Sequence, residues 1–248
     1  MDGRVGATKG GSAMLKPTDL DLQRQGIRPG HWGQWLAIGV VGLVGFVVLA
    51  LLLVFGTFIG QLDHQLLAEV ISFRTPELTV FASAVTRLGS TPVVVYFGVA
   101  AAVVLWLRSR SILLPIALLG ALAATESLVT ILKIALDRPR PPASLVVGVP
   151  LSDDAFPSGH TTAGSMLVVL TAAMLALTFG NLIVRWLLMI SGCILALLIG
   201  CSRTYLGVHW PSDVLGGWLL AATMVSVTMA LVMHVGAVSG RCDSARCA

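Results

Sequence analysis

The chain has 248 residues, of which 56% are hydrophobic and only 11% are Asp, Glu, Lys or Arg. Soluble domains carry about 25% charged residues. The scarcity of charge, with a mean hydropathy of +0.90, excludes a disordered chain, a nucleic-acid-binding domain and a disulfide-stapled secreted miniprotein.

Residues 1–34 are polar, contain Gly3, Gly6, Gly10 and Gly11, and show no apolar period. They read as a disordered cytoplasmic arm. The first apolar run starts too late and is too long for a cleaved signal peptide. Apolar runs of roughly 17–25 residues read as membrane helices, and six occur, at 36–60, 91–107, 112–135, 160–179, 183–201 and 213–236. The expected fold is all-α, a polytopic six-helix membrane bundle forming one domain over 35–236, with a cytoplasmic tail at 237–248. Between the first two spans, Leu66, Leu67, Val70 and Ile71 repeat at helical spacing, as do Leu78, Phe81, Val85 and Leu88, with Pro76 between them. Two short amphipathic helices on the extracytoplasmic surface are predicted there. Trp32, Trp35, Trp106, Trp186 and Trp210 fall near span ends and read as an interfacial belt.

Six spans put both termini on one side of the membrane. That side holds ten basic residues (Arg4, Lys9, Lys16, Arg24, Arg28, Arg108, Arg110, Arg185, Arg241 and Arg246) against six on the other. The excess of Lys and Arg on cytoplasmic loops predicts that both termini lie in the cytoplasm.

The polar residues of the spans collect at the opposite face. Lys133 and Arg140 close the third span in KIALDRPRP; Pro157, Ser158, Gly159 and His160 open the fourth in FPSGHTT. Ser202 and Arg203 end the fifth, and His209 and Asp213 begin the sixth, in SRTYLGVHWPSD. As chemistry, this is a site for a phosphate-like anion. Lys133, Arg140 and Arg203 supply three positive charges, and arginine forks match oxyanion geometry. Ser158 and Gly159 stand at a helix start, where backbone amides and the helix dipole favour an anion. His209 and Asp213 are four apart; a carboxylate on Nδ1 fixes the tautomer and leaves Nε2 as a nucleophile. His160 remains to protonate a leaving oxygen and then to activate water. Taken singly, each cluster has a plainer reading: a snorkelling cation, a serine helix cap, a chance His–Asp spacing. For Arg74, Arg87, Arg108, Arg110 and Arg138 the snorkelling reading is preferred.

The three clusters fit K-x6-RP, PSGH and SR-x5-H-x3-D, and all eleven specified positions are present. The chain thereby resembles the type 2 phosphatidic acid phosphatase superfamily, which includes glucose-6-phosphatase-like enzymes and vanadium haloperoxidases. Asp63 and the Thr86-Arg87-Leu88-Gly89 segment also resemble bacterial members. The resemblance implies a phosphohistidine formed on His209, oriented by Asp213. It implies His160 as the acid and base, and Lys133, Arg140, Ser158, Gly159 and Arg203 as phosphate ligands. It implies no metal or other cofactor, and the sequence offers no His, Cys or carboxylate grouping suited to one. The expected partner is a lipid phosphate in the bilayer: undecaprenyl pyrophosphate, phosphatidic acid or phosphatidylglycerophosphate, with recycling of a polyprenyl carrier slightly favoured. The expected location is the cell (inner) membrane, with the site at the extracytoplasmic face. Alternatives are a phosphatase for a soluble sugar phosphate and a non-enzymatic lipid-binding or transport protein.

Glu126, in mid-span, is a functional candidate by default. It lies seven residues before Lys133, but a carboxyl satisfied by Thr130 or a neighbouring helix is the preferred reading. Cys193 and Cys201 are eight apart in one helix, about 12 Å along its axis, too far to pair. Cys242 and Cys247 fall in the expected tail. His31, His64 and His234 read as interfacial or tail residues, and Gly39, Gly42 and Gly45 as positions for close helix packing.

Overall fold

The computed structural model of the protein describes residues 32–245, with side chains to residue 235. The described residues form eight α-helices: α1 (Trp32–Phe55), α2 (Phe58–Ser72), α3 (Pro76–Thr86), α4 (Thr91–Ser109), α5 (Leu113–Leu136), α6 (Gly159–Leu177), α7 (Leu182–Tyr205) and α8 (Pro211–Ala245). Short 3-10 turns lie at Arg87–Gly89 and Ala143–Leu145. Six of the helices, all but α2 and α3, are long and apolar enough to cross a membrane. The chain is a multi-pass membrane protein. Most of the expected arm and the last three tail residues lie outside the described residues.

The span ends differ from the sequence expectation in informative ways. The first helix stops at Phe55 rather than running to residue 60, because the chain breaks at Gly56 and Thr57 and re-enters a helix at Phe58. The fifth runs to Tyr205, four residues past the expected end, so Ser202 and Arg203 are helical. The last continues to Ala245, through the segment expected as a tail. The two amphipathic helices form as predicted, split at Pro76, where the Thr75 side chain accepts from the Leu78 amide and caps α3.

Burial is uneven. In α6, 72% of the membrane-crossing window is buried, and in α8 61%, against 17–33% in the other four spans. These two helices form the centre, with α5 and α7 against α6 and α1 along α8. Lipid is as apolar as leucine, so helices in a membrane associate through close packing rather than hydrophobic transfer. Small residues supply that approach. A Cβ added at Gly42 would stand 2.8 Å from Thr223 Oγ1, and one at Gly192 would stand 3.0 Å from Ala172 Cβ. Hydroxyls on the spans are returned to the backbone, buried and exposed alike: Thr125 donates to the Ala121 carbonyl at 2.8 Å and the exposed Thr130 to that of Glu126 at 2.9 Å. The Thr130 hydroxyl is thus spent on the Glu126 main chain, not on its carboxyl.

Candidate active site

Four chain segments meet at one end of the bundle: the end of α5, the start of α6, the end of α7 and the start of α8. Each is fixed locally. Asp137 closes α5 in a left-handed conformation, with its amide on the Lys133 carbonyl. Ser158 caps α6 by accepting from the Thr161 amide and, at 2.9 Å, from the Thr161 hydroxyl. Both acceptor positions of the Ser158 oxygen are thereby used, and its O–H remains to donate. Gly207 makes the turn after α7 at φ +74°, where a Cβ would lie 2.3 Å from the Leu145 carbonyl oxygen.

Pro211 begins α8 and suits a first helical position, having no amide hydrogen to lose. Asp213 stands two residues on and reaches back to the Trp210 amide at 2.8 Å, the returning arm of a capping box. The same oxygen faces Nδ1 of His209 at 3.4 Å. Its other oxygen is held by Arg138, which also donates at 2.6 Å to Asp63 on α2. Asp63 in turn accepts from the Ser212 amide (2.9 Å) and hydroxyl (2.6 Å). Both carboxylates are buried, a position that costs several kcal/mol per ion unless the charge is paired and hydrogen-bonded (roughly, after relaxation). Arg138 is the shared counter-ion.

On the other side of His209, Arg140 donates from Nη1 to Nε2 at 3.0 Å and to the Val208 carbonyl at 2.6 Å. Arginine only donates, so Nε2 is unprotonated and the ring proton sits on Nδ1, towards Asp213. His209 is buried. Burial, followed by the charges of Arg140, Arg203 and Lys133, holds its pKa well below the ordinary histidine value.

Lys133 pairs with Asp153 and donates to the Asp154 carbonyl at 2.6 Å. Arg140 Nη2 takes the second oxygen of Asp153 at 2.9 Å. Burial works to raise the Asp153 pKa, but the hydrogen bond and charge of Lys133, with the charge of Arg140, bring it below the usual carboxylate value. Arg203 is buried; Nη1 donates to Thr86 Oγ1 at 2.7 Å, while Nε has no partner among the described residues. Gly159 packs against Lys133, and a Cβ there would lie 4.0 Å from Lys133 Cε. His160, half-buried, lies within electrostatic reach of Arg203, His209, Arg140 and Lys133.

The eight residues singled out from the sequence therefore surround one space. Arg140 donates to an unprotonated imidazole nitrogen, and Lys133, Arg203 and the imidazole of His160 at the α6 N-terminus lie within its electrostatic reach. That arrangement can bind a phosphoryl group, attack its phosphorus and exchange a proton with its oxygens. Among the described residues, no three His, Cys, Asp or Glu side chains are grouped to hold a metal ion.

Several residues had other roles in the sequence reading. Arg138 does not snorkel; it anchors Asp213 and Asp63. Nor does Arg74, whose guanidinium donates to the Tyr205 and Leu145 carbonyls, each at 2.9 Å. Trp210 is not an interfacial residue: it is buried, donates to the Pro139 carbonyl at 2.9 Å, and packs edge-on against His64 at 4.5 Å. Asp153 was not anticipated. It lies in an aperiodic loop, and its only signal is a carboxylate pair between the cation-rich KIALDRPRP segment and the PSGH helix start.

The sequence profile of the PAP2 superfamily matches residues 114–236, the stretch that contains every one of these motifs. An undecaprenyl-diphosphatase of Sulfolobus acidocaldarius is 42% identical over 71 residues, 29% of this chain and 30% of that one. Phosphatidylglycerophosphatase B of Bacillus subtilis is 30% identical over 165 residues, 64% of this chain and 77% of that one. The chain thus spans less than a third of the first relative and more than three quarters of the second. The crystal structure of a transmembrane PAP2-type phosphatidylglycerolphosphate phosphatase from Bacillus subtilis superimposes with a TM-score of 0.67 at 23% identity, covering 81% of this chain and 94% of that one. That likeness establishes the fold.

Proposed function

The chain belongs to the PAP2 superfamily, and from that premise we propose that it is a membrane-embedded phosphatase removing the terminal phosphate of a lipid phosphate or diphosphate. The observation that carries this reading is the geometry at His209. Its Nε2 accepts from Arg140 and lies within the field of Arg203 and Lys133, while Asp213 holds the opposite side of the ring.

In the first half-reaction, His209 Nε2 attacks phosphorus as the bond to the lipid oxygen breaks. His160 gives its proton to that departing oxygen, and Arg140, Arg203, Lys133, the Ser158 hydroxyl and the Gly159 amide hold the three phosphoryl oxygens. Asp213 keeps the Nδ1 proton in place and stabilises the positive charge that develops on the ring. In the second half-reaction, His160 takes a proton from water, the water oxygen attacks phosphorus, and the N–P bond breaks to release inorganic phosphate.

The substrate class follows from the setting: a charged pocket at the end of apolar spans suits a phosphate on an apolar tail. The relatives act, by name, on undecaprenyl diphosphate and on phosphatidylglycerophosphate. A polyprenyl diphosphate is the favoured substrate, with the site on the extracytoplasmic face and both termini in the cytoplasm. Setting aside Lys133, Arg140 and Arg203 as phosphate ligands leaves ten basic residues on the terminal side against three, which supports that orientation.

Phosphate release from undecaprenyl diphosphate, phosphatidylglycerophosphate, phosphatidic acid and glucose 6-phosphate in detergent with EDTA tests the proposal. Lipid turnover that His209→Ala abolishes is expected. Turnover surviving that substitution would remove the phosphohistidine, and glucose 6-phosphate hydrolysed as fast as the lipids would remove the lipid class. Sidedness is read at Val149, 81% exposed in the loop before α6. In a background with the four native cysteines replaced by serine, Val149→Cys should react with an impermeant maleimide on intact cells. Labelling only after lysis would reverse the orientation.

A further inference from the structure

Asp153 belongs to none of the three motifs, yet it makes the closest set of contacts in the cationic pocket. Each of its carboxylate oxygens takes a different cation, Oδ2 the Lys133 ammonium and Oδ1 the Arg140 guanidinium. These are two of the three charges assigned to phosphate. The side chain is nevertheless 57% exposed, so the carboxylate stands at the mouth of the pocket. Its loop is tied down independently of the carboxylate. The Asp153 carbonyl accepts from Arg140 Nε at 2.6 Å, the Asp154 carbonyl accepts from Lys133 at 2.6 Å, and the Ala155 amide donates to the Arg138 carbonyl at 2.8 Å. The carboxylate can therefore rotate into water while the main chain stays in place.

We propose that Asp153 is a specificity-determining residue: it fills the phosphate cradle until a dianionic phosphate displaces it, and so turns away the singly charged phosphodiester headgroups of the surrounding bilayer. The inference rests on the phosphatase reading of the same pocket. Lys133, Arg140 and Arg203 together carry three positive charges, and Asp153 offsets one of them. A phosphodiester carries one negative charge, as the carboxylate does, but the carboxylate is tethered and competes at an effective concentration on the order of millimolar or more. A terminal phosphate carries about −1.5 to −2 at neutral pH and gains correspondingly more from the same cations. Bulk headgroups far outnumber any phosphomonoester or diphosphate in a membrane, so an unguarded cradle would be occupied by the wrong lipid.

The test compares wild type with Asp153→Asn, Asp153→Ser and Asp154→Asn in detergent micelles. Asp154 lends its carbonyl rather than its carboxylate to Lys133, so Asp154→Asn removes a neighbouring charge without opening the cradle. Inorganic phosphate binding is measured by calorimetry, and turnover of the preferred lipid phosphate is measured with added phosphatidylglycerol. Both Asp153 variants should bind phosphate about ten-fold more tightly and become sensitive to phosphatidylglycerol at mole fractions that leave wild type unaffected. Asp154→Asn, whose charge acts on Lys133 only at a distance, should tighten binding much less than either Asp153 variant. Retained turnover with unchanged or weaker phosphate binding in the Asp153 variants overturns this inference alone, as does equal tightening by Asp154→Asn. Absence of both phosphate binding and turnover in wild type overturns the phosphatase reading and this inference with it.

Discussion

Arg140 Nη1 lies 3.0 Å from His209 Nε2, and because a guanidinium can only donate, that one contact assigns the proton on the imidazole. It resides on Nδ1, opposite Asp213. Nε2, the nitrogen proposed as the nucleophile, thus carries its lone pair before a substrate arrives, and the donor that marks it is one of the groups proposed to hold a phosphoryl oxygen.

Replacing Asp213 with Asn tests this assignment. The amide can present its NH2 to Nδ1 and reverse the tautomer, so kcat should fall on the order of 10³-fold with little change in KM. Steady-state kinetics on the preferred lipid, with a thermal melt to verify folding, provides the check. A loss confined to KM would point to substrate binding instead.

Arg138 should matter more for stability than any other cation at the site. Arg138→Met leaves Asp63 and Asp213 buried without their counter-ion, which costs about 3–5 kcal/mol. The double variant Arg138→Met/Asp63→Asn should recover part of that loss in a detergent melt, since one uncompensated charge has gone. Catalysis should remain impaired in both, because Asp213 has lost the group that anchors it.

These cases mark how far the sequence could be read. The six spans and the catalytic constellation follow from apolar run length and from motif spacing, both local properties. Arg138 and Arg140 are two apart in one tripeptide, and K-x6-RP spacing picks out Arg140. Only the fold reveals that Arg138 turns to α2 and α8 while Arg140 turns to the pocket. Trp210 was misassigned for a related reason. A tryptophan beside a span end reads as interfacial until the loop and helix that bury it, here through Ala155 and through Leu67 of α2, are known. Asp153 was illegible because its partners lie 13 and 20 residues back, in a stretch without periodicity.

Gly89 presses on His160, the residue proposed as the acid. A Cβ there would lie 2.6 Å from the His160 carbonyl oxygen and 2.9 Å from Ile199 Cγ2, and neither the helix start nor the turn can yield freely. Gly89→Ala should cost about 1–3 kcal/mol. It should also lower kcat by about ten-fold or more by displacing His160 or Thr86. Gly120→Ala, where nothing among the described residues lies within 4 Å, should leave both unchanged.

The depressed pKa of His209 predicts a direction for stability against pH. Unfolded, the imidazole gains a proton near pH 6.5, roughly the model-peptide value; folded, it remains neutral to well below that. Between those values the unfolded chain binds more protons, so stability falls as pH drops through about 6.5. The midpoint of wild type minus that of His209→Asn, followed from pH 8 to pH 5 in detergent, should shrink towards acid. A flat difference would mean that the folded histidine titrates normally.

Both histidines stand at the N-terminal ends of the two most buried spans, His160 inside its helix and His209 just before its own. His160 heads α6, and His209 leads into α8, whose first turn holds Asp213, while the four outer spans face the bilayer over most of their length. A change in acyl-chain length or fluidity acts first on that outer ring, by tilt and hydrophobic mismatch. The spacing of the two imidazoles is set by the inner pair of helices rather than by that ring. Such a layout lets the bond-breaking step keep one geometry as a cell remodels its lipids with temperature, leaving delivery of the substrate, rather than its cleavage, to feel the weather in the membrane.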